Sequence, residues 1–347
     1  MNARLFAGTF AAAVLLTTAS DAMRTQGAAK PDPQMQAVLD MHAKLGAKPP
    51  DTLSPTEARK QPSPADAVMA LLEARSKSAA PEAVGNVANR TVPGPGGQIP
   101  VRIYTPAGNG PFPLIFYIHG GGWVIANLDT YDASARGLTN AAQAVVVSTH
   151  YRQAPEDKFP AAHEDVWASY QWAVANATSI NADPARVAVA GESAGGNLAA
   201  NVAIRARDEK ATLPRHQLLV YPIASYDMNT PSYQENAMAK PLSKPLMAWF
   251  FGHYLNQPAD GADPRISLLQ TANLKGLPGA TVITAQIDPL RSESKMYADR
   301  LEEAGVKVMY RNYDGVTHEF FGMSAVVDKA KDAMQFAGTN LEQALKP

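Results

Sequence analysis

The chain contains no cysteine. That absence excludes disulfides, thiolate metal sites and a cysteine nucleophile together. A surplus of either charge is also lacking, since 31 lysines and arginines stand against 32 aspartates and glutamates, for a net charge of -1. No nucleic acid and no anionic membrane surface is therefore expected as a partner, and the expected substrate is a neutral or weakly charged small molecule. Long apolar runs are missing too. The apolar stretch at residues 5–16 falls short of the roughly 20 residues that span a bilayer, so no stable membrane anchor is expected. Preceded by Met1-Asn2-Ala3-Arg4 and followed by small residues, it reads as a cleavable secretory signal over residues 1–22, cut after Ala19 or Ala22. With no cysteine at the junction a lipoprotein anchor is excluded, and the mature protein is expected to be secreted or periplasmic. Both the Gly-x-x-x-x-Gly-Lys pattern and the dinucleotide fingerprint are missing, so the glycine-rich segments are not read as phosphate cradles. No cofactor and no metal is expected.

What remains is a chain of 347 residues, enough for one large α/β domain with an appendage. Met35, Val38, Leu39, His42 and Leu45 recur at helical spacing, and residues 65–76 form a second apolar-striped segment. Residues 48–64, rich in proline, read as a linker between these helices. Residues 23–84 are accordingly assigned to an N-terminal helical cap segment and 85–347 to the catalytic domain. That domain opens on a hairpin around Pro93-Gly94-Pro95-Gly96-Gly97. Strand-like runs follow at residues 114–118, 145–149, 187–190, 218–221, 281–286 and 306–310, with helical patterns at 130–143, 163–177, 197–207, 292–304 and 326–345. Such alternation predicts a mainly parallel central sheet with helices on both faces. Residues 225–264 break the rhythm and read as a cap insertion. Within it, residues 244–255 form an apolar helix carrying Trp249, Phe250 and Phe251, suited to covering a pocket.

The chemistry centres on Gly191-Glu192-Ser193-Ala194-Gly195-Gly196. A buried strand precedes it and a helix follows, the context that a nucleophile elbow requires. Gly191 and Gly195 supply positions where a β-carbon would strike the neighbouring strand and helix. A serine hydroxyl is a poor nucleophile near neutral pH, so Ser193 needs a base, and the base needs a third group to fix its tautomer. Of seven histidines, His318 lies in a turn-forming stretch, residues 313–318, after the last expected strand. Core or surface roles are expected for His42, His150, His163, His216 and His253. Asp288, just past the carboxyl end of the strand at 281–286, is expected to be the orienting acid. Asp314 competes by its nearness to His318, although a turn aspartate ordinarily caps its own backbone.

A second signal is His119-Gly120-Gly121-Gly122-Trp123, directly after the strand at 114–118. Backbone N–H groups of this loop and of Ala194 are expected to receive the oxyanion that forms when Ser193 attacks a carbonyl. His119 is expected to fix the loop, and Trp123 to pack it from behind.

Taken together these motifs resemble the hormone-sensitive-lipase-like (family IV) carboxylesterases and lipases of the α/β-hydrolase superfamily. The likeness extends to Tyr151-Arg152-Gln153-Ala154-Pro155-Glu156, Phe159-Pro160-Ala161-Ala162, Asp288-Pro289-Leu290-Arg291 and Gly305-Val306, and covers roughly residues 101–322. The resemblance implies an α/β-hydrolase fold with a helical cap and a triad of Ser193, Asp288 and His318. It also implies an oxyanion hole of Gly121, Gly122 and Ala194, and hydrolysis of short- to medium-chain acyl esters through an acyl-enzyme. Lactone or amide hydrolysis on the same triad, or a non-catalytic small-molecule-binding relative, are the alternative readings. A monomer or homodimer is expected. Departures from the family pattern are Gln153 for leucine, Asp157 for histidine, Ser292 for aspartate and Glu319 for glycine. Of these, Glu319 stands closest in sequence to the expected base.

Overall fold

The computed structural model describes Met1 and residues 29–347, so the expected signal lies outside the described residues apart from Met1. The N-terminal segment forms α1 (Pro33–Lys44), α2 (Pro55–Ala58) and α3 (Pro64–Ala74). Each starts where a short polar side chain caps the exposed N–H groups and proline sits at the first helical position. Asp32 caps α1, while Ser54 with Glu57 and Ser63 with Asp66 form capping boxes on α2 and α3.

The linker expected at residues 48–64 is thus corrected. It holds α2 and a 3-10 turn, because its prolines initiate helical turns rather than break them. It is also tied down by Arg59, whose guanidinium donates to the carbonyls of Val124 (2.8 Å) and Ala154 (2.7 Å) and pairs with both oxygens of Glu156.

The catalytic domain continues with β1 (Asn86–Gly94), β2 (Gly97–Thr105), β3 (Phe112–Ile118), α4 (Asp132–Ala142), β4 (Val145–Thr149) and α5 (Ala161–Ala175). Then come β5 (Ala182–Glu192), α6 (Ala194–Asp208), β6 (His216–Val220), α7 (Pro231–Glu235), α8 (Lys244–Tyr254) and β7 (Gly279–Ile287). The chain closes with α9 (Arg291–Glu303), β8 (Val308–Thr317) and α10 (Asp328–Ala344). The strands form one eight-stranded sheet in the order β1-β2-β4-β3-β5-β6-β7-β8. Pairing is antiparallel at β1/β2 and β2/β4 and parallel from there on.

Both faces of the sheet are covered, which is why β3 reads as a continuous apolar run and every residue of β4 and β6 is buried. Successive residues of β5 alternate between two cores. Val187 and Val189 join the core lined by α5, α6 and α8, while Ala188 and Ala190 join the one lined by α1, α3, α4 and α10.

Two features of this topology place the site. The strand order reverses at β3, with β4 on one side and β5 on the other, and a crevice opens at the carboxyl ends of strands at such a switch point. At the far side, β7 and β8 pair as far as Ile287 opposite Thr317, so the residues that follow, Asp288 and His318, emerge side by side.

The second feature corrects the expected turn at residues 313–318. Tyr313–Thr317 continues β8 through a register shift, with Gly315 in the left-handed region at φ +67°. A glycine inside a strand marked this irregularity rather than the strand's end.

Candidate active site

Ser193 caps the first turn of α6 at φ +57° and ψ -121°, a conformation that costs a non-glycine residue on the order of 1–3 kcal/mol. The surroundings enforce it: its N–H donates to the Val220 carbonyl at 2.9 Å, and its carbonyl accepts from Ile223 at 3.2 Å. The flanking glycines do what the sequence implied. A β-carbon on Gly191 would run into the Gly195 carbonyl, and one on Gly195 into the Ile118 carbonyl at the end of β3.

His318 brings its Nε2 to 3.0 Å from Ser193 Oγ and its Nδ1 to 2.7 Å from Asp288 Oδ2. All three side chains are buried. A carboxylate can only accept, so the proton sits on Nδ1 and the Nε2 lone pair faces the serine. The other oxygen of Asp288 accepts from the Leu290 N–H at 2.8 Å, which fixes the carboxylate's rotation. Burial opposes charging His318, yet the surrounding carboxylates, Asp288 foremost and then Glu319 and Glu192, together hold the imidazole above its ordinary value. Asp314, the competing acid, is exposed and accepts from the Asn312 amide at 2.9 Å; it has no part in this series.

The glycine loop lies beside the elbow because Ile118 pairs with Gly191 across β3 and β5. Gly121 and Gly122 both take positive φ, +94° and +57°. Among the described residues, the N–H groups of Gly121, Gly122 and Ala194 donate to no protein acceptor. These are the three positions from which an oxyanion was expected to draw its hydrogen bonds.

His119 fixes the loop as expected. Its Nδ1–H donates to the Gly120 carbonyl at 2.8 Å, its Nε2 accepts from His150 at 2.9 Å, and its ring stacks 4.6 Å from Tyr151. Burial, with His150 adding to it, pushes His119 down to about 3, so it stays neutral and serves as a strut. Trp123 is fully buried and stacks on Tyr254 of α8 at 4.5 Å. His163 likewise bonds Tyr254 (2.9 Å) and the Arg265 carbonyl (3.2 Å), and His216 bonds Thr281 at 2.8 Å.

Several residues around the site escaped sequence reasoning. Glu192 is fully buried beside the serine and accepts from Tyr117 at 2.6 Å and from Tyr221. Burial first, and then the Glu319 charge, push its carboxyl up to about 7. Tyr221 in turn lies 4.4 Å from the His318 ring.

A second group joins the insertion to the acid loop. Ser232 of α7 donates to the Pro289 carbonyl at 2.6 Å and accepts from the Ser292 N–H at 2.9 Å, while Ser292 Oγ accepts from the Ser232 N–H at 3.1 Å. Arg291 pairs with Glu235 of the same helix. Glu293 is fully buried and accepts from the N–H groups of Ala224 (2.8 Å) and Ser225 (3.2 Å). Only the Ser292 departure from the family pattern hinted at this clamp.

Comparison with known proteins gives the same picture. Residues 115–322 match a family described as having the alpha/beta hydrolase fold. The carboxylesterase NlhH of Mycobacterium tuberculosis is 40% identical over 253 residues, spanning 72% of this chain and 79% of the relative. An ethyl acetate hydrolase of Pseudomonas putida is 32% identical over 312 residues, 89% of this chain and 93% of that one. Among solved structures, a hyperthermophilic esterase from the archaeon Pyrobaculum calidifontis superposes with a TM-score of 0.81 at 34% identity, covering 91% of this chain and 100% of the other. The chain belongs to the hormone-sensitive-lipase-like carboxylesterases of the α/β-hydrolase superfamily.

Proposed function

We propose that this serine carboxylic-ester hydrolase works through Ser193 as nucleophile, His318 as base and Asp288 as orienting acid. The observation that carries the reading is the unbroken series Ser193 Oγ, His318, Asp288 at 3.0 and 2.7 Å, beside three N–H groups without an acceptor among the described residues. Ser193 attacks the ester carbonyl as His318 takes its proton, and the N–H groups of Gly121, Gly122 and Ala194 receive the oxyanion. His318 then protonates the departing alcohol, leaving an acyl-serine. Water, deprotonated by the same histidine, releases the acid. The ring returns to its neutral form at the end of each half-reaction, so no other proton carrier is needed.

The expected substrates are neutral esters with short to medium acyl chains. Ethyl acetate, named for the Pseudomonas putida relative, supports the short end of that range. The cap is read as two parts: the segment through α3, which touches the 3-10 turn just after His318, and the insertion carrying α7 and α8. Its helix α8 bears on the glycine loop through Phe250 and Trp123.

A chain-length series of nitrophenyl esters, run with fluorophosphonate labelling, tests this reading. Turnover should peak at short to medium chains, and the label should attach to Ser193 and be lost in Ser193→Ala. Label elsewhere, or wild-type turnover in that variant, would sink the assignment. Export is a separate proposal, resting on the charged, apolar and small-residue order of residues 1–22. N-terminal sequencing of the exported protein should start after Ala19 or Ala22; an intact Met1 start would overturn it.

A further inference from the structure

We infer that Glu319, held in place by Tyr131, is a positioning residue for His318: its carboxylate flanks Nε2 and stabilises the ring in the charged form it takes during each proton transfer. The inference rests on the proposed role of His318 as base and goes beyond it, because a triad needs only one carboxylate.

Geometry carries the argument. Glu319 Oε1 stands 3.8 Å from His318 Nε2, the nitrogen that faces Ser193, whereas Asp288 bonds the opposite nitrogen. The ring is thus bracketed by two carboxylates. Glu319 is not free to swing away, since the same oxygen accepts from Tyr131 Oη at 2.6 Å. Tyr131 is itself buried at the start of α4, and its hydroxyl occupies the space where a β-carbon of Gly120 would stand. One carboxylate therefore braces the base against the loop expected to bind the oxyanion.

The backbone accepts a penalty to present it. Glu319 sits at φ +72°, in the left-handed region where a residue with a side chain is strained and glycine is not.

The remaining groups facing His318 are Asp288 past the end of β7, Glu192 at the end of β5 and Tyr221 just after β6. Glu192 is held by the hydroxyls of Tyr117 and Tyr221 and acts from further off. The benefit of Glu319 is differential. A neutral ring in the resting enzyme gains little from the charge, and the imidazolium formed as Ser193 attacks gains a great deal.

The test is the pH profile of nitrophenyl ester hydrolysis by Glu319→Gln and Glu319→Gly, with fluorophosphonate labelling and a thermal melt to show that each variant folds. Glutamine keeps the shape and loses the charge; glycine loses both and relieves the backbone. Both should move the acid limb of kcat/KM down by about 0.5–1 pH unit, because the base now holds its proton less tightly. Both should also lower plateau kcat by roughly threefold to tenfold with KM little changed. An acid limb that stays at the wild-type pH in both folded variants would overturn the inference while leaving the triad standing. Full turnover by His318→Ala would instead remove the reading on which it rests.

Discussion

Phe250 of α8 fills the space beside Gly122, so that a β-carbon on this glycine would stand inside the ring. The glycine is thus required twice, once by its positive φ and once by the cap helix that presses on the loop. Gly122→Ala should therefore lower kcat by about 10²–10³, the loss typical of a spoiled oxyanion donor. Phe250→Ala should restore part of it in the double variant, since it removes the collision and leaves the backbone strain. Strict additivity of the two changes in a double-mutant cycle would show that the helix and the loop are not coupled.

Asp288→Asn should fold and still place a side chain beside His318 Nδ1, but the amide no longer enforces the reactive tautomer. A loss on the order of 10⁴ in kcat is expected. The same substitution removes the charge that holds the imidazole up, so the residual activity should persist to lower pH than in the wild type. Stopped-flow or endpoint ester assays across the acid range measure both effects.

For the unaltered enzyme the sign of the pH dependence follows from the raised His318 value. As the proposed base, His318 works only when neutral, so kcat/KM should fall about tenfold per unit below an acid limb that lies above the ordinary histidine value of roughly 6.5. A limb well below that value would contradict the bracketing of the ring by Asp288 and Glu319.

Burial pushes the Glu293 carboxyl well above its ordinary value, and one of its oxygens has no partner among the described residues. Its folded value is raised, so the folded state keeps a proton that the unfolded chain loses above about pH 4.3. Stability should accordingly decline as pH rises from there, and Glu293→Gln should flatten that decline in denaturant titrations. Glu293→Ala, which strands the N–H groups of Ala224 and Ser225, should cost about 2–4 kcal/mol at acid pH, and the cost should shrink as pH rises.

The clamp between α7 and the acid loop predicts a kinetic effect away from the reacting atoms. Ser232→Ala breaks the bonds to the Pro289 carbonyl and the Ser292 N–H. It should lower kcat by roughly threefold to tenfold through misplacement of Asp288, with a stability loss of about 1 kcal/mol. Unchanged kcat would mean that Asp288 is fixed by its own loop alone.

How much of this was legible in the sequence depends on the range of the interactions involved. The nucleophile elbow, the glycine loop and the alternation of strands and helices are local patterns: a buried strand must be apolar, and a strained turn must have glycines on either side. The chain thus determined by itself its fold class, the seriousness of Ser193, and the order in which an acid and a base follow it. It misled where one residue type serves two ends, since prolines that looked like a linker begin α2 and α3, and a glycine that looked like a turn bends β8 without ending it.

Only the tertiary structure decided which aspartate faces His318. That depends on Ile287 pairing with Thr317 across two strands, a register that no local pattern encodes. It also decided that Glu192 joins Glu319 near the imidazole, that Glu293 is buried with no counter-charge among the described residues, and that Phe250 reaches Gly122. The approach of Glu192 to His318 and of Phe250 to Gly122 joins segments more than a hundred residues apart. The sequence supplies such partners, and only packing brings them together and sets the burial that fixes their charge.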